Sequence, residues 1–288
     1  MSANVIKTPN STPESSPPVL IIQATKGWGS LALHEVWEYR DLLYFLLWRD
    51  VKGRYKQMAL GPLWIVLRPL FNMVLFTLIF GVVAKLPSDG VPYPIFSYTA
   101  LLPWTFFSGA VLGAANSLLS NKHLIAKVYF PRLVVPVVSI LSGLVDFVIS
   151  FVILLGMMVY YGYMPGWGIF CIPLYLLLAA AAALAVGLWA ACWIVHYHDV
   201  NEILSYLIRG WMYATPVVYA ISIIPERWRT LYCLNPMTNV IEGFRWALLG
   251  TGQPPGWMMV ISSLFVCILL ISGAFYFRRT ERTIVDIA

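Results

Sequence analysis

The sequence predicts an all-α, polytopic membrane protein, and three observations carry that expectation. Sixty per cent of its 288 residues are hydrophobic, against roughly 45–50% in a soluble domain. Only 11% are charged, against about 25% in soluble proteins. The apolar residues gather into six segments, near 62–84, 95–118, 134–160, 168–195, 203–221 and 257–277, each with about the 20 residues needed to cross ~30 Å of hydrocarbon. A water-soluble domain is excluded. The net charge of +6 does not imply nucleic acid, because in so apolar a chain the placement of charges says more than their sum.

Taken in order, residues 1–30 read as a disordered cytoplasmic tail. Residues 1–18 are rich in Ser, Thr, Pro and Asn, and Val19–Ile22 is too short for a signal-peptide core. Residues 31–60 read as an amphipathic helix on the cytoplasmic interface, with Glu35, Glu38, Asp41, Arg49, Lys52 and Lys56 recurring mostly three or four apart between Val36, Leu43, Leu47, Trp48 and Val51. A six-span domain occupies 61–278, and a cytoplasmic tail follows over 279–288. Seven Lys and Arg precede residue 61, three lie in 119–132 and three follow 277, whereas Lys85, Arg227, Arg229 and Arg245 fall on the other side. That asymmetry places both termini in the cytoplasm.

Residues 222–252 belong to the outer side but are not hydrophilic. Two apolar stretches, each too short to span, are broken at Asn235–Pro236. They read as two re-entrant half-helices shielded by protein, or as a pair of helices lying flat at the interface. Intramembrane charge is sparse: Arg68, Asp146 and Arg209. Arg68 is close enough to a helix end to snorkel, and Asp146, near mid-span, must be protonated or bonded to a neighbouring helix. Gly109 and Gly113, with the alanines of 179–183, read as close-packing positions. Trp64, Arg68, Phe71 and Leu75 share one face of the first span, and Ser205, Arg209, Met212, Tyr213, Pro216 and Tyr219 share one of the fifth. Rings mixed with donors suit a polar, ring-shaped substrate such as a sugar, while packing explains the first face equally well.

Cys171, Cys192, Cys233 and Cys267 lie far apart and form no metal motif, and His196 and His198 fall on different helix faces. No GxxxxGK[ST] loop occurs, so nucleotide chemistry has to come from a partner. A membrane-embedded transferase is disfavoured because Asp199, Glu202, Glu226 and Glu242 lack a converging His or second acid.

Several stretches are similar to a known family: DVKGRYKQMALGPLWIVLRPL from Asp50, NKHLIAKVYFPRLVVPV from Asn121, HDVNEIL from His198, TPVVY from Thr215 and LNPMTNVIEGFRWALLG from Leu234. In order and in combination they resemble the permease subunit of type 2 ATP-binding-cassette (ABC) exporters of polysaccharide, nearest the Wzm-like O-antigen branch. The resemblance implies a homodimer in a bacterial inner membrane, joined to two copies of a cytoplasmic ATPase that holds ATP and Mg, this chain binding no cofactor itself. The cargo it implies is a lipid-linked polysaccharide moved out of membrane lipid. It implies that 119–132 is a coupling helix, with Asn121, Lys122, His123, Leu124, Ile125, Lys127, Tyr129 and Arg132 at the ATPase. It also implies that Asn235, Pro236, Glu242 and Arg245 form an outer gate. A channel between protomers would be lined by Trp64, Phe71, Arg209, Tyr213 and Tyr219. Capsule and teichoic-acid exporters, and exporters of small molecules or lipids with the same fold, share these features.

Overall fold

A computed structural model describes residues 2–3, 22–23, 37–56, 63–128, 130–197, 199–252 and 254–287. The expected tail over 1–30 lies outside them except for Ser2–Ala3 (β1) and Ile22–Gln23 (β2), which pair antiparallel with Ser2 opposite Gln23. Everything else regular is helical: α1 (Arg40–Lys56), α2 (Leu63–Phe76, continued by a π-helical stretch Thr77–Val83), α3 (Tyr93–Ser120), α4 (Lys122–Lys127), α5 (Val134–Tyr161), α6 (Ile172–His196, entered through a 3-10 turn Trp167–Cys171), α7 (Asp199–Tyr213), α8 (Glu226–Leu234), α9 (Pro236–Leu249) and α10 (Trp257–Ile287).

The core sits on α3. Its membrane-length stretch is 78% buried within the chain, against 11% for the α2 stretch Val66–Val83. A helix that apolar and that buried is wrapped by its neighbours rather than by lipid. Small residues set the distances: a Cβ on Gly187 of α6 would come within 2.6 Å of Ala114 of α3, and one on Gly113 within 3.4 Å of Ser139 of α5. Gly109 does not share that role, since a Cβ there meets nothing within 4 Å.

Among the described residues, five stretches are long and apolar enough to cross a membrane: Val66–Val83, Tyr93–Ser120, Val134–Tyr161, Trp167–His196 and Trp257–Thr280. The segment predicted as one span over 203–221 is divided. Its helix, α7, ends at Tyr213 after 15 residues, about 22 Å at 1.5 Å per residue. Thr215 precedes Pro216, which disfavours helical backbone at Thr215 and removes a donor from the next turn.

α1 is helical as expected, with Leu46 buried against Phe130, Val134, Val135 and Val138 at the start of α5. Tyr44, Phe45 and Trp48 remain exposed, so its apolar side chains lie on more than one face. Residues 31–36 and 57–60 of the expected interface helix lie outside the described residues.

α9 is the second buried helix, with residues from Pro236 to Leu249 packed between α3 and α6. Gly243 permits this, because a Cβ there would overlap the ring of Tyr175. Gly243→Val therefore overpacks the contact, at a cost of about 1–3 kcal/mol, and should lower the thermal midpoint of the detergent-solubilised chain. Gly109→Ala, with open space at its Cβ, should leave the midpoint unchanged.

Candidate functional site

The polar features gather at the two ends of α3. Its 28 residues separate those ends by about 42 Å.

At the Tyr93 end, the chain turns sharply at Asn235–Pro236. Asn235 caps α9, its side-chain oxygen accepting from the Met237 N–H at 3.1 Å, and proline in the first helical turn needs no N–H partner. Two to three turns further on, Glu242 and Arg245 point into protein and are 5% and 1% exposed. The Arg245 guanidinium donates to Glu242 Oε1 at 2.9 Å, to the Tyr219 carbonyl at 3.3 Å and to the Val217 carbonyl at 3.0 Å. Its carbon lies 3.8 Å from the centre of the Phe96 ring. Between those carbonyls, that of Val218 accepts from the Tyr93 hydroxyl at 2.6 Å, and the Asn235 amide donates to Thr215 Oγ1 at 2.9 Å. The three carbonyls released by the break at Pro216 are thus satisfied by side chains of α3 and α9, as buried backbone requires. Burial pushes the Glu242 carboxyl up from its ordinary value, while the adjacent guanidinium pulls it down. A second tie, Ser222 Oγ donating to Asp89 Oδ1 at 2.8 Å, fastens the following strand of chain to the α2–α3 loop. The arrangement is a clamp, with its carboxylate and hydroxyls engaged in holding one another and the backbone.

At the other end, Asn121 closes α3. Its amide donates to the Ser117 carbonyl at 3.0 Å, and its oxygen accepts from Arg49 of α1 at 2.6 Å. The short α4 then packs inward through Leu124 and Ile125, which lie against the cluster of Leu46, Phe130 and Val134. These two side chains, expected to seat in a partner, are therefore half-buried against their own chain. The outward surface consists of Lys122, His123, Ala126, Lys127 and Val128. Arg132 is half-buried, and Tyr129 lies outside the described residues.

The two exposed faces expected to meet a substrate lie on different sides of α3. Trp104 and Phe107 hold Trp211 of α7, whereas Thr105 and Phe106 face the α2 side. On α2, Trp64 and Phe71 are exposed, with the Arg68 guanidinium 5.8 Å from the Trp64 ring. On α7, Arg209 and Tyr213 are exposed. Four members of the expected α7 face are not: Ser205 and Met212 are half-buried, Pro216 is buried, and Tyr219 is half-buried, its hydroxyl donating to the Tyr213 carbonyl at 3.1 Å. The helix ends at Tyr213 and turn residues follow, so helical spacing no longer holds there. The exposed face carries Tyr206 instead, 5.8 Å from the Arg209 guanidinium, a residue legible from its seven-residue offset to Tyr213. The partner of Asp146 was not legible, since Arg54 of α1 donates to Asp146 at 3.1 Å and to Ser142 at 2.7 Å and no sequence spacing links those positions; for Arg245 the spacing points to Glu242 three residues before it but not to the Val217 and Tyr219 carbonyls.

The fold and its two polar ends define a polytopic helical membrane protein built on one buried span, clamped at one end and presenting a basic loop at the other. The chain belongs to the ABC-2 type transporter family, whose family model matches residues 41–249. It is 32% identical over 256 residues, 86% of this chain and 96% of the relative, to the O-antigen export system permease protein RfbA of Myxococcus xanthus. A protein of the same name from Klebsiella pneumoniae is 28% identical over 209 residues, 71% of this chain and 79% of its own. The polysialic acid transport protein KpsM of Escherichia coli is 20% identical over 246 residues, 83% and 93% of the two chains.

Arg245→Met should cost about 3–5 kcal/mol, because it strands a buried carboxylate. Combining it with Glu242→Leu should recover only part of that loss, because the Val217 and Tyr219 carbonyls still lack the donors that Arg245 supplied. Denaturant titration of the solubilised chain followed by tryptophan fluorescence would show whether the double variant is the more stable of the two.

Proposed function

We propose that this chain is the permease subunit of an ATP-driven exporter that moves a lipid-linked, O-antigen-like polysaccharide across the bacterial inner membrane. The observation that carries the reading is the 32% identity to an O-antigen export permease, which extends over 96% of that relative. It acts as a homodimer with two copies of a separate ATPase, which holds the ATP and Mg. The 20% likeness to a polysialic acid transport protein favours a capsule polysaccharide as the second reading.

Six crossings are supported by where α7 and its turn begin and end. Asn201, in the first turn of α7, accepts from Asn116 near one end of α3 at 2.8 Å, and Val218 accepts from Tyr93 at the other end. The segment therefore covers the same layer as α3 although α7 alone is too short. The charge asymmetry supports cytoplasmic termini, which makes the Asn121 end cytoplasmic and the Arg245 clamp external. The burial of α9 supports a re-entrant segment, since its backbone is shielded by protein. The gate role assigned to Asn235, Pro236, Glu242 and Arg245 is then that of a fixed pivot.

Glycan passes between protomers, where the exposed faces of α2 and α7 offer rings and donors: Trp64 and Phe71 on one, Arg209 and Tyr213 on the other. Tyr219 supports the wall from behind. The ATPase docks on Lys122, His123, Lys127 and Val128, with Asn121, Leu124 and Ile125 tying that surface to α1 and α5.

Deleting the gene in its host should abolish surface polysaccharide while lipid-linked glycan accumulates inside, and the wild-type copy should reverse both. A Tyr213→Ala copy should restore export only partly, at unchanged permease abundance. Normal export by that variant would remove α7 from the glycan path. Lys127→Glu with His123→Asp should reduce ATPase co-purification about tenfold or more without loss of thermal stability, whereas Leu124→Asp should lower the stability itself.

A further inference from the structure

α7 lies antiparallel on α3. Trp211, near its end, packs edge-on against the rings of Trp104 and Phe107, and Asn201, in its first turn, meets Asn116 near the opposite end of α3. Between them, Leu204 and Ile208 are buried in the core. Positions 201, 204, 208 and 211 stand three, four and three residues apart, the spacing that keeps one seam of a helix on its neighbour. Three of the four are apolar, and apolar burial has no preferred direction along a helix. The apolar contacts alone do not select one register. The fourth position does, because an asparagine at a single seam position fixes register by the partner it must find.

The asparagine pair has a fixed polarity. The Asn116 amide donates to the Leu112 carbonyl at 3.0 Å and to Asn201 Oδ1 at 2.8 Å. A carbonyl only accepts, so the first bond makes the nitrogen of Asn116 the donor, and Asn201 has to present its oxygen. Both side chains are half-buried. Asn116 lies about 6 Å inside the Ser120 end of α3, at 1.5 Å per residue, where polar side chains are bonded across helices. The same end of α3 carries a second tie. Asn121, five residues on, accepts from Arg49 of α1 at 2.6 Å and donates to the Ser117 carbonyl at 3.0 Å, and α4 with its basic outer surface follows directly. Less than two turns of helix therefore join the basic loop to the bond that holds α7.

We infer that Asn116 and Asn201 are positioning residues of the export cycle: their hydrogen bond holds α7 in register on α3 and carries displacement of the basic loop to the wall that bears Arg209 and Tyr213. The inference rests on the proposed ATPase docking surface and on α7 as a channel wall, and it is independent of which glycan is carried. When the ATPase moves α4, the end of α3 moves with it, and α7 follows through Asn201. Without the bond, α3 slides along an apolar seam, and ATP is hydrolysed while the wall stays where it is. Asn201 is the third residue of α7, where the helix dipole favours a carboxylate. Aspartate at that position keeps an acceptor for the Asn116 amide, whereas leucine keeps only the volume.

The test uses the full-length permease co-purified with its ATPase. Hydrogen–deuterium exchange over 199–213 is compared with and without Mg and a non-hydrolysable ATP analogue, and ATP hydrolysis and surface polysaccharide are measured for the same variants. In the wild type, the nucleotide should change exchange over 199–213. Asn116→Leu and Asn201→Leu should each abolish that change and lower surface polysaccharide about tenfold, with ATP hydrolysis retained. Asn201→Asp should keep both the change and the export. Ser272→Ala, which removes a half-buried hydroxyl of α10 outside this seam, should behave as wild type. A nucleotide response absent from the wild type, a response undiminished in both leucine variants, or an Asn201→Asp variant as impaired as Asn201→Leu would each overturn the inference. Should the leucine variants fail to fold, Asn201→Ala against Asn201→Asp decides it. A complex that shows the nucleotide response but exports no polysaccharide refutes the proposed function and leaves the inference standing.

Discussion

The break in the chain at Pro216 leaves three consecutive carbonyls without helical partners, and their satisfaction constrains much of the structure. Nothing in hydrocarbon can accept that role, so protein has to supply the donors. Arg245 provides two and Tyr93 provides one. Because Arg245 is buried, it needs Glu242 beside it, and because both are buried, α9 has to lie inside the protein rather than on its surface. From this follow the glycine at 243, the capped turn at Asn235–Pro236 and the tight approach of α9 to Tyr175.

The clamp makes the Tyr93 end of α3 rigid, and the opposite end is tied differently. There, Asn121 is held through Arg49 and the packing of Leu46, so that α1, α4 and the start of α5 form one unit. A push on Lys127 would reach α5 through Phe130 and Val134, and α1 through Leu46. The same α1 carries Arg54, which pairs with Asp146 deep along α5. A helix that joins the basic loop to a mid-membrane carboxylate gives a continuous path from one end of the molecule into its interior, built of side chains that touch.

The faces left exposed are as informative as those that are buried. α2 and α7 carry Trp64, Phe71, Tyr206 and Tyr213 outward, on helices whose neighbours within the chain cover one side only. The Trp64 and Tyr206 rings stand next to Arg68 and Arg209, at distances where a cation rests over an aromatic face. These faces belong with the proposed dimer channel.

Composition and periodicity by themselves determined the class of fold. Apolar runs of membrane length can only be helices, since their backbone must be satisfied internally, and the short apolar stretches of 222–252 already pointed to a second kind of element. Local chemistry also fixed the capped turn at Asn235–Pro236 and the exposed stripe from Arg209 to Tyr213. What the tertiary structure alone decided was who pairs with whom. The partner of Asp146 is Arg54, on a helix ahead of the first span, and the partners of Arg245 are carbonyls on another segment. Leu124 and Ile125 face inward because Leu46 waits there. Tyr219 leaves its expected face because the helix stops six residues before it. Each of these depends on distances between segments far apart in the chain. A one-dimensional pattern records how a residue is spaced from its neighbours but not which distant group will settle its charge or its hydrogen bond.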